Sequence, residues 1–212
     1  MNLAFVENPG PFMKPDQYRS AIEKHLGEEL FRHSLGVAEA AAALAKRFGA
    51  DGDKAYLAGL VHDYAKRYSR QELLEIAARL NLRLDRITRQ EARLLHAPVG
   101  AVLIKKELGL KDPAVIQAVR RHTTGSAGMT LLDKVVYLAD YIESGRDYEG
   151  VEKVRSIARE NLDRALLEAV EQAIVSVLKR GLPLHPRSVV FRNCLLHALN
   201  DKSTGKRPNQ GL

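Results

Sequence analysis

The sequence predicts an all-α protein folded as a single helical bundle, and three observations carry that prediction. Apolar residues recur at steps of three or four along most of the chain. No stretch alternates apolar and polar residues for long enough to demand a strand. Residues that start and stop helices stand where the periodic runs begin and end.

From His33 onward, Val37, Ala41, Leu44 and Phe48 trace one helix face, and Gly49 stops it. Asp51-Gly52-Asp53 caps a second helix, Lys54 to Lys66. A third runs from Ser69 to Leu80, with Ser69 as N-cap and Glu72 at the capping-box position. Further helices are expected at Pro98 to Leu108, Pro113 to His122, Leu131 to Glu143 and Val151 to Ile157. Asn161 to Arg180 holds the longest apolar stripe, from Leu162 and Ala165 through Val170 to Val177 and Leu178. A last helix covers Val189 to Leu199. Connections are short and no linker divides the chain, so one domain is expected over residues 15–200. It is flanked by a flexible N-terminal segment, 1–14, with Pro9, Gly10 and Pro11, and a flexible polar tail, 201–212.

Composition narrows the function classes. With 212 residues, 45% of them hydrophobic, the chain can build a sizeable core and is too apolar to be disordered. No run reaches the roughly 18 apolar residues of a membrane helix. Met1 to Phe5 lacks a basic-then-apolar leader, so no secretory signal is expected. The single cysteine, Cys194, has no partner for an internal disulfide, which points to a reducing, cytoplasmic setting. Beside Leu195 and Leu196 it is expected to be buried as a small hydrophobe. The net charge of +7 raises nucleic-acid binding, but the basic residues are scattered, Trp is absent and no zinc-finger spacing occurs. A basic surface suits an anionic small molecule equally well, and neither nucleic acid nor membrane is expected as a partner.

The apolar run Leu57 to Val61 leads straight into His62-Asp63, which places both polar side chains near the core. Buried carboxylates and imidazoles need partners. For an isolated pair, a mutual His–Asp hydrogen bond is as good an answer as a metal. Two further residues change the weighting. His33 lies on the apolar face of Val37, Leu44 and Phe48, and Asp140 sits in Val135 to Ile142, apolar nearly all round. Two imidazoles and two carboxylates from three helices make a ligand set for a divalent transition metal, with positions left for water and substrate. Adjacent helical residues point about 100° apart, so His62 and Asp63 can share one ion at a helix edge.

The order His33, His62-Asp63, Asp140 resembles the H…HD…D signature of the HD superfamily of metal-dependent phosphohydrolases. Longer words extend the likeness: His33 to Val37 (HSLGV), His62 to Lys66 (HDYAK), Leu95 to Gly100 (LHAPVG), Arg121 to Gly125 (RHTTG) and Leu138 to Glu143 (LADYIE). Together they resemble the YqeK family of bacterial symmetrical bis(5′-nucleosyl)-tetraphosphatases. The resemblance implies an HD-domain helical bundle. It implies that His33, His62, Asp63 and Asp140 bind metal, usually iron in that family, with Mn, Co or Zn also compatible, as one or two ions. It further implies symmetrical cleavage of diadenosine tetraphosphate into two ADP. By the same resemblance His96 and His122 face the polyphosphate or hold a second metal, Thr123 and Arg146 contact substrate, and the loop with His185 and Arg187 helps enclose it. One position departs: relatives often carry Arg where this chain has Leu30, and Arg32 would point about 200° away from that place on a helix.

A bound metal polarises a phosphoryl oxygen and acidifies water. Asp63 is then expected to orient the attacking water or take its proton, and Lys66, one helical turn from His62, to neutralise developing charge; these two form the expected catalytic pair. A solvated lysine is the plain alternative for Lys66. His96 and His122, if protonated, would assist the leaving phosphate; otherwise they are core histidines. His25 and His197 read as structural or solvent-facing. Other readings are a different HD nucleotidase or phosphodiesterase, a catalytically silent nucleotide-binding regulator, or a helical interaction module without metal. So many apolar helix faces also suggest a homodimer.

Overall fold

In the computed structural model, residues 15–204 are described, and all their regular structure is helical. The elements are α1 (Pro15–Leu26), α2 (Glu28–Phe48), α3 (Gly52–Val61), α4 (Arg70–Arg79), α5 (Arg86–Gln90), α6 (Ala92–Glu107), α7 (Pro113–Arg121), α8 (Leu131–Ile142), α9 (Val151–Ala158), α10 (Leu162–Lys179) and α11 (Pro186–Thr204). The caps read from the sequence are formed. Gly49 ends α2 in the left-handed region at φ 81°, Asp51 accepts from Lys54 N, and Ser69 and Glu72 close a capping box. A second box joins Thr130 and Asp133 at the start of α8.

Several boundaries differ from expectation. α1 and α5 carry no strong periodic stripe and were not anticipated. α6 starts at Ala92, six residues before Pro98, which lies inside the helix at the cost of one backbone hydrogen bond. α11 begins at Pro186, a residue suited to the first helical position, and reaches Thr204, so the first four residues of the expected tail are helical. The rest of that tail and the segment 1–14 lie outside the described residues. Cys194 is exposed because Leu195, about 100° further round α11, takes the inward position instead.

The most consequential difference concerns α3. It stops at Val61, and the chain continues in tight turns through Arg67, with Tyr64 N bonded to Val61 O, Lys66 N to Asp63 O and Tyr68 N to Ala65 O. This i→i−3 winding turns about 120° per residue. Residues three apart then eclipse, which is what brings Lys66 over Asp63.

The centre is built from α2, α3, α7 and α8, with α2 against both α3 and α8 and α3 against both α7 and α8. α6 packs on α7 and α4, α10 on α8, α9 and α11, and α1 covers α2 and α3. Valines, leucines and alanines fill the interior, among them Val37, Ala41, Leu60, Val119, Val136 and Leu166. α2 and α3 approach closely at Gly59, where a Cβ would stand 2.7 Å from Ala38 Cα. No helix among the described residues is long and apolar enough to cross a membrane.

α1 is fastened to the turn after α3 through His25. Its ring stacks on Tyr64 at 3.8 Å, its Nε2–H donates to Tyr64 O at 2.9 Å, and Arg67 Nη1 donates to Nδ1 at 3.3 Å. Burial and the neighbouring Arg67 outweigh the backbone acceptor and bring the pKa down to about 4. The fold thus binds the neutral ring, while the unfolded chain protonates near 6.5. This contribution is complete above pH 6.5 and is lost as pH falls from 6.5 through 4. The ring is partly solvent-exposed, which limits the effect to about 1–2 kcal/mol. In His25→Phe the thermal midpoint is expected to fall less steeply across that window than in the unsubstituted chain; equal slopes would remove His25 as the cause.

Candidate metal centre

Four helices and the turn after α3 deliver a tight cluster of His and Asp side chains. His33 comes from α2, His62 and Asp63 from the turn, His96 from α6, His122 from the C-cap of α7 and Asp140 from α8. His62 and Asp63 are fully buried, with His96 and His122 at 6% and 3% exposure.

The backbone fixes how these rings face. His62 Nδ1–H donates to Gly59 O and His122 Nδ1–H to Val119 O, both at 2.7 Å. His33 Nδ1–H donates to Glu143 Oε1 at 3.2 Å. With Nδ1 as donor, the neutral ring presents a lone pair at Nε2, the form a metal ligand needs. These Nε2 atoms converge on the two aspartates. His33 Nε2 lies 3.1 Å from Asp140 Oδ1 and 3.5 Å from Asp63 Oδ2, while His62 Nε2 lies 3.2 Å from Asp63 Oδ2 and 3.8 Å from Asp140 Oδ1. Ligand atoms at about 2.1 Å from one ion stand about 3.0–3.4 Å apart at angles near 90–109°. The observed spacings fall at or slightly above that range.

Asp63 faces two ways. Its Oδ2 meets His33 and His62, whereas Oδ1 is 3.2 Å from His96 Nε2 and 3.6 Å from His122 Nε2, which are themselves 3.1 Å apart. Metal-compatible triads are accordingly found on both sides, His33-His62-Asp63 and Asp63-His96-His122, and a third, His62-His122-Asp140, links them. His62 Nε2 and Asp63 Oδ1 are buried without a hydrogen-bond partner among the described residues. Orphaned buried atoms of this kind need an explanation, and a cation between them supplies one. Mixed imidazole and carboxylate donors fit a divalent metal.

Charge in the cluster agrees. Burial opposes ionisation of Asp63, yet the imidazoles of His62, His122 and His33 gathered around it hold its pKa well below the carboxylate range. Asp140 behaves alike: burial is outweighed by His33, His62 and Arg146. Asp140 and Asp63 overcome burial and push His33 up to about 9, the same pull toward positive charge at Nε2 that a bound cation would satisfy in place of the proton. Burial lowers the His122 pKa, against the pull of Asp63.

Cations frame the cluster. Lys66 Nζ donates to Asp63 Oδ2 at 2.7 Å, so it sits over Asp63 and not beside His62 as an α-helical continuation would place it. Arg146 donates to Asp140 Oδ1 at 2.5 Å and to the Asp140 carbonyl at 3.0 Å. Leu30 packs against the core, and Arg32 is exposed and pairs with Glu28. Thr123 lines the cavity above the cluster, together with Lys66 and Arg146. The cavity measures about 600 Å³, within the range of small-molecule sites. His185 is buried elsewhere: Nε2 meets Asp85 Oδ2 at 3.2 Å and Nδ1 accepts from Arg187 N at 3.1 Å. It borders a smaller adjoining cavity, and Arg187 is exposed.

Glu143 has a role that its sequence position did not reveal. It is 5% exposed, its Oε1 receives His33 Nδ1–H, and its Oε2 receives Gly145 N at 2.6 Å. Gly36 leaves room for it, since a Cβ there would lie 2.7 Å from Glu143 Oε2. A usable signal existed: Asp140 and Glu143 both stand at the C-terminal end of α8, where the helix dipole disfavours acids. Glu143→Ala is expected to lower activity about 10–100-fold by releasing His33, with a matching loss of bound metal on elemental analysis. Unchanged metal content and activity would reduce Glu143 to a packing residue.

The profile of the HD domain matches residues 30–145. The chain is 38% identical to the symmetrical bis(5′-nucleosyl)-tetraphosphatase of Bacillus subtilis, over 87% of this chain and 98% of that protein. It is 42% identical to the protein of the same description from Halalkalibacterium halodurans, over 82% and 93% respectively. In structure it is similar, at a TM-score of 0.85 and 37% identity, to a Clostridium acetobutylicum protein described as a predicted HD superfamily hydrolase involved in NAD metabolism; the match covers 89% of this chain and all of that one. The all-helical fold, the order of the His and Asp residues and these likenesses agree, and the chain belongs to the HD domain family, in the group that contains the Bacillus symmetrical bis(5′-nucleosyl)-tetraphosphatase.

Proposed function

We propose that the protein hydrolyses diadenosine tetraphosphate symmetrically into two ADP in a metal-dependent reaction. The observation that carries this is the donor cluster with its orphaned His62 Nε2 and Asp63 Oδ1, set in a cation-lined cavity. The Bacillus and Halalkalibacterium relatives, both symmetrical bis(5′-nucleosyl)-tetraphosphatases, suggest the substrate. A bound divalent ion would supply Lewis acidity toward a phosphoryl oxygen and acidify a water.

His33, His62, Asp63 and Asp140 would hold one ion, and His96 and His122 with Asp63 would suit a second. Nitrogen-rich donors favour iron, manganese, cobalt or zinc over magnesium or calcium, and iron is the proposed resident. In the reaction the water oxygen bonds to one of the two central phosphorus atoms. The bond from that phosphorus to the central bridging oxygen breaks, and the bridging oxygen leaves with the electron pair on the second ADP. Asp63 orients the water and takes the proton it loses as the new bond forms, which then passes to solvent. Lys66 Nζ and the Arg146 guanidinium, each anchored on a ligand carboxylate, neutralise the phosphates, and Thr123 Oγ1 contacts them from the cavity wall. His185 and Arg187 act by holding the 182–188 segment in place. A cation-lined cavity favours a small anion over nucleic acid, and the free, exposed Cys194 suits a reducing cytoplasm.

Incubation of iron-loaded protein with diadenosine tetraphosphate is expected to give ADP as the sole nucleotide product. AMP plus ATP, or no turnover, overturns the reading. Because the Clostridium relative is described as involved in NAD metabolism, NAD belongs in the same assay; a higher kcat/KM for NAD would replace the tetraphosphate.

A further inference from the structure

Two arginines that the metal centre does not use stand at the mouth between two cavities. Arg93, near the start of α6, and Arg180, the C-cap of α10, line both the cavity above the cluster and the smaller one beside it. Among the described residues Arg93 makes no hydrogen bond or ion pair, and the Arg180 side chain bonds only to its own helix, Nε to Ser176 O at 3.2 Å. Lys66 and Arg146, by contrast, spend their charge on Asp63 and Asp140. Arg93 and Arg180 are both exposed and border the same two cavities, with Glu91 also on the wall of the smaller one, so their guanidinium groups are open to an anion that enters from the cluster side. Beyond the mouth the wall turns apolar, with Val170, Ile174 and Val177 of α10 facing Leu182, Pro183 and Leu184. An anion site leading into an apolar recess is the chemistry of a nucleoside phosphate, phosphates first and base beyond.

We propose that Arg93 and Arg180 grip the phosphates of one ADP half of the dinucleoside tetraphosphate and pass its nucleobase into the apolar recess, so that the recess behind the two arginines selects a dinucleoside over a mononucleoside substrate. The proposal rests on the tetraphosphatase reading. A symmetrical substrate centred on the metal cluster must send its two halves in different directions, and the arginine mouth is the exit that combines free charge with an apolar end.

Steady-state kinetics of Arg93→Gln and Arg180→Gln with diadenosine tetraphosphate test it. Each substitution is expected to raise KM about tenfold or more with kcat nearly unchanged, as loss of uniform binding requires. Arg→Lys at either position recovers most of that loss, and added salt weakens the parent more than the double Gln variant. In the parent, kcat/KM for diadenosine tetraphosphate exceeds that for adenosine 5′-tetraphosphate by about tenfold or more, the share of the recess. Wild-type KM in both Gln variants, a fall in kcat alone, or equal kcat/KM for the two adenosine compounds overturns the proposal. A parent enzyme that leaves diadenosine tetraphosphate intact overturns the tetraphosphatase reading itself, so the two failures are told apart.

Discussion

Asp63→Ala is expected to abolish turnover, by more than about 10³-fold, and to strip the protein of metal. Loss of a residue that merely supports a ligand costs about 10–100-fold. Asp63 stands one step further in, with one oxygen toward His33 and His62 and the other toward His96 and His122. Its removal breaks both halves of the cluster at once and leaves Lys66 without the carboxylate it pairs with. Asp63→Asn is the sharper comparison, since it keeps the volume and exchanges a charged oxygen for an amide. Elemental analysis, kcat and the far-ultraviolet dichroism spectrum, measured on both variants, separate loss of metal from loss of fold. A folded Asp63→Asn protein with full metal content and a tenth or more of the parent activity would refute the central place given to this carboxylate.

Gly59→Ala destabilises the fold by about 3 kcal/mol or more, at the upper end of what overpacking costs. The added Cβ would stand 2.7 Å from Ala38 Cα, 2.9 Å from Ala38 N and 2.9 Å from Val37 O. All three are backbone atoms of α2, so no side chain can rotate aside and the two helices must separate. For a domain of this size the thermal midpoint falls by about 2–4 °C per kcal/mol, or roughly 6–12 °C here. Activity suffers as well, because Gly59 O holds the His62 ring through Nδ1. A thermal midpoint within about 2 °C of the parent would show that α2 and α3 can part without penalty.

Helices α2, α4, α7, α8 and α10 were legible because each has a one-sided apolar stripe and a recognisable cap, and those signals are local. α1, α5 and the first turn of α6 were not, because their helicity depends on the packing partners they meet. The residues of the candidate metal centre were legible for a related reason. His33 and Asp140 break apolar faces, and a polar residue on such a face advertises a partner somewhere else. Glu143 was visible only as an acid at the wrong end of a helix. Arg93 and Arg180 gave no signal, since an arginine at a helix end is ordinary until its unpaired guanidinium is found facing a cavity.

By itself the sequence determined the helical class, most of the caps and the set of side chains able to bind metal, all of which follow from periodicity and residue chemistry within one segment. Only the tertiary structure decided which atoms meet. Distances of 3.1–3.8 Å among His33, His62, Asp63 and Asp140 depend on how α2, the turn after α3, and α8 are packed together. The tightened turn after Val61 moved Lys66 onto Asp63, carbonyl acceptors at Gly59 and Val119 set the ring tautomers, and two helix ends far apart in sequence placed unpaired arginines at one mouth. Local pattern specifies what each segment offers; the closeness of helices distant in the chain specifies what those offers become.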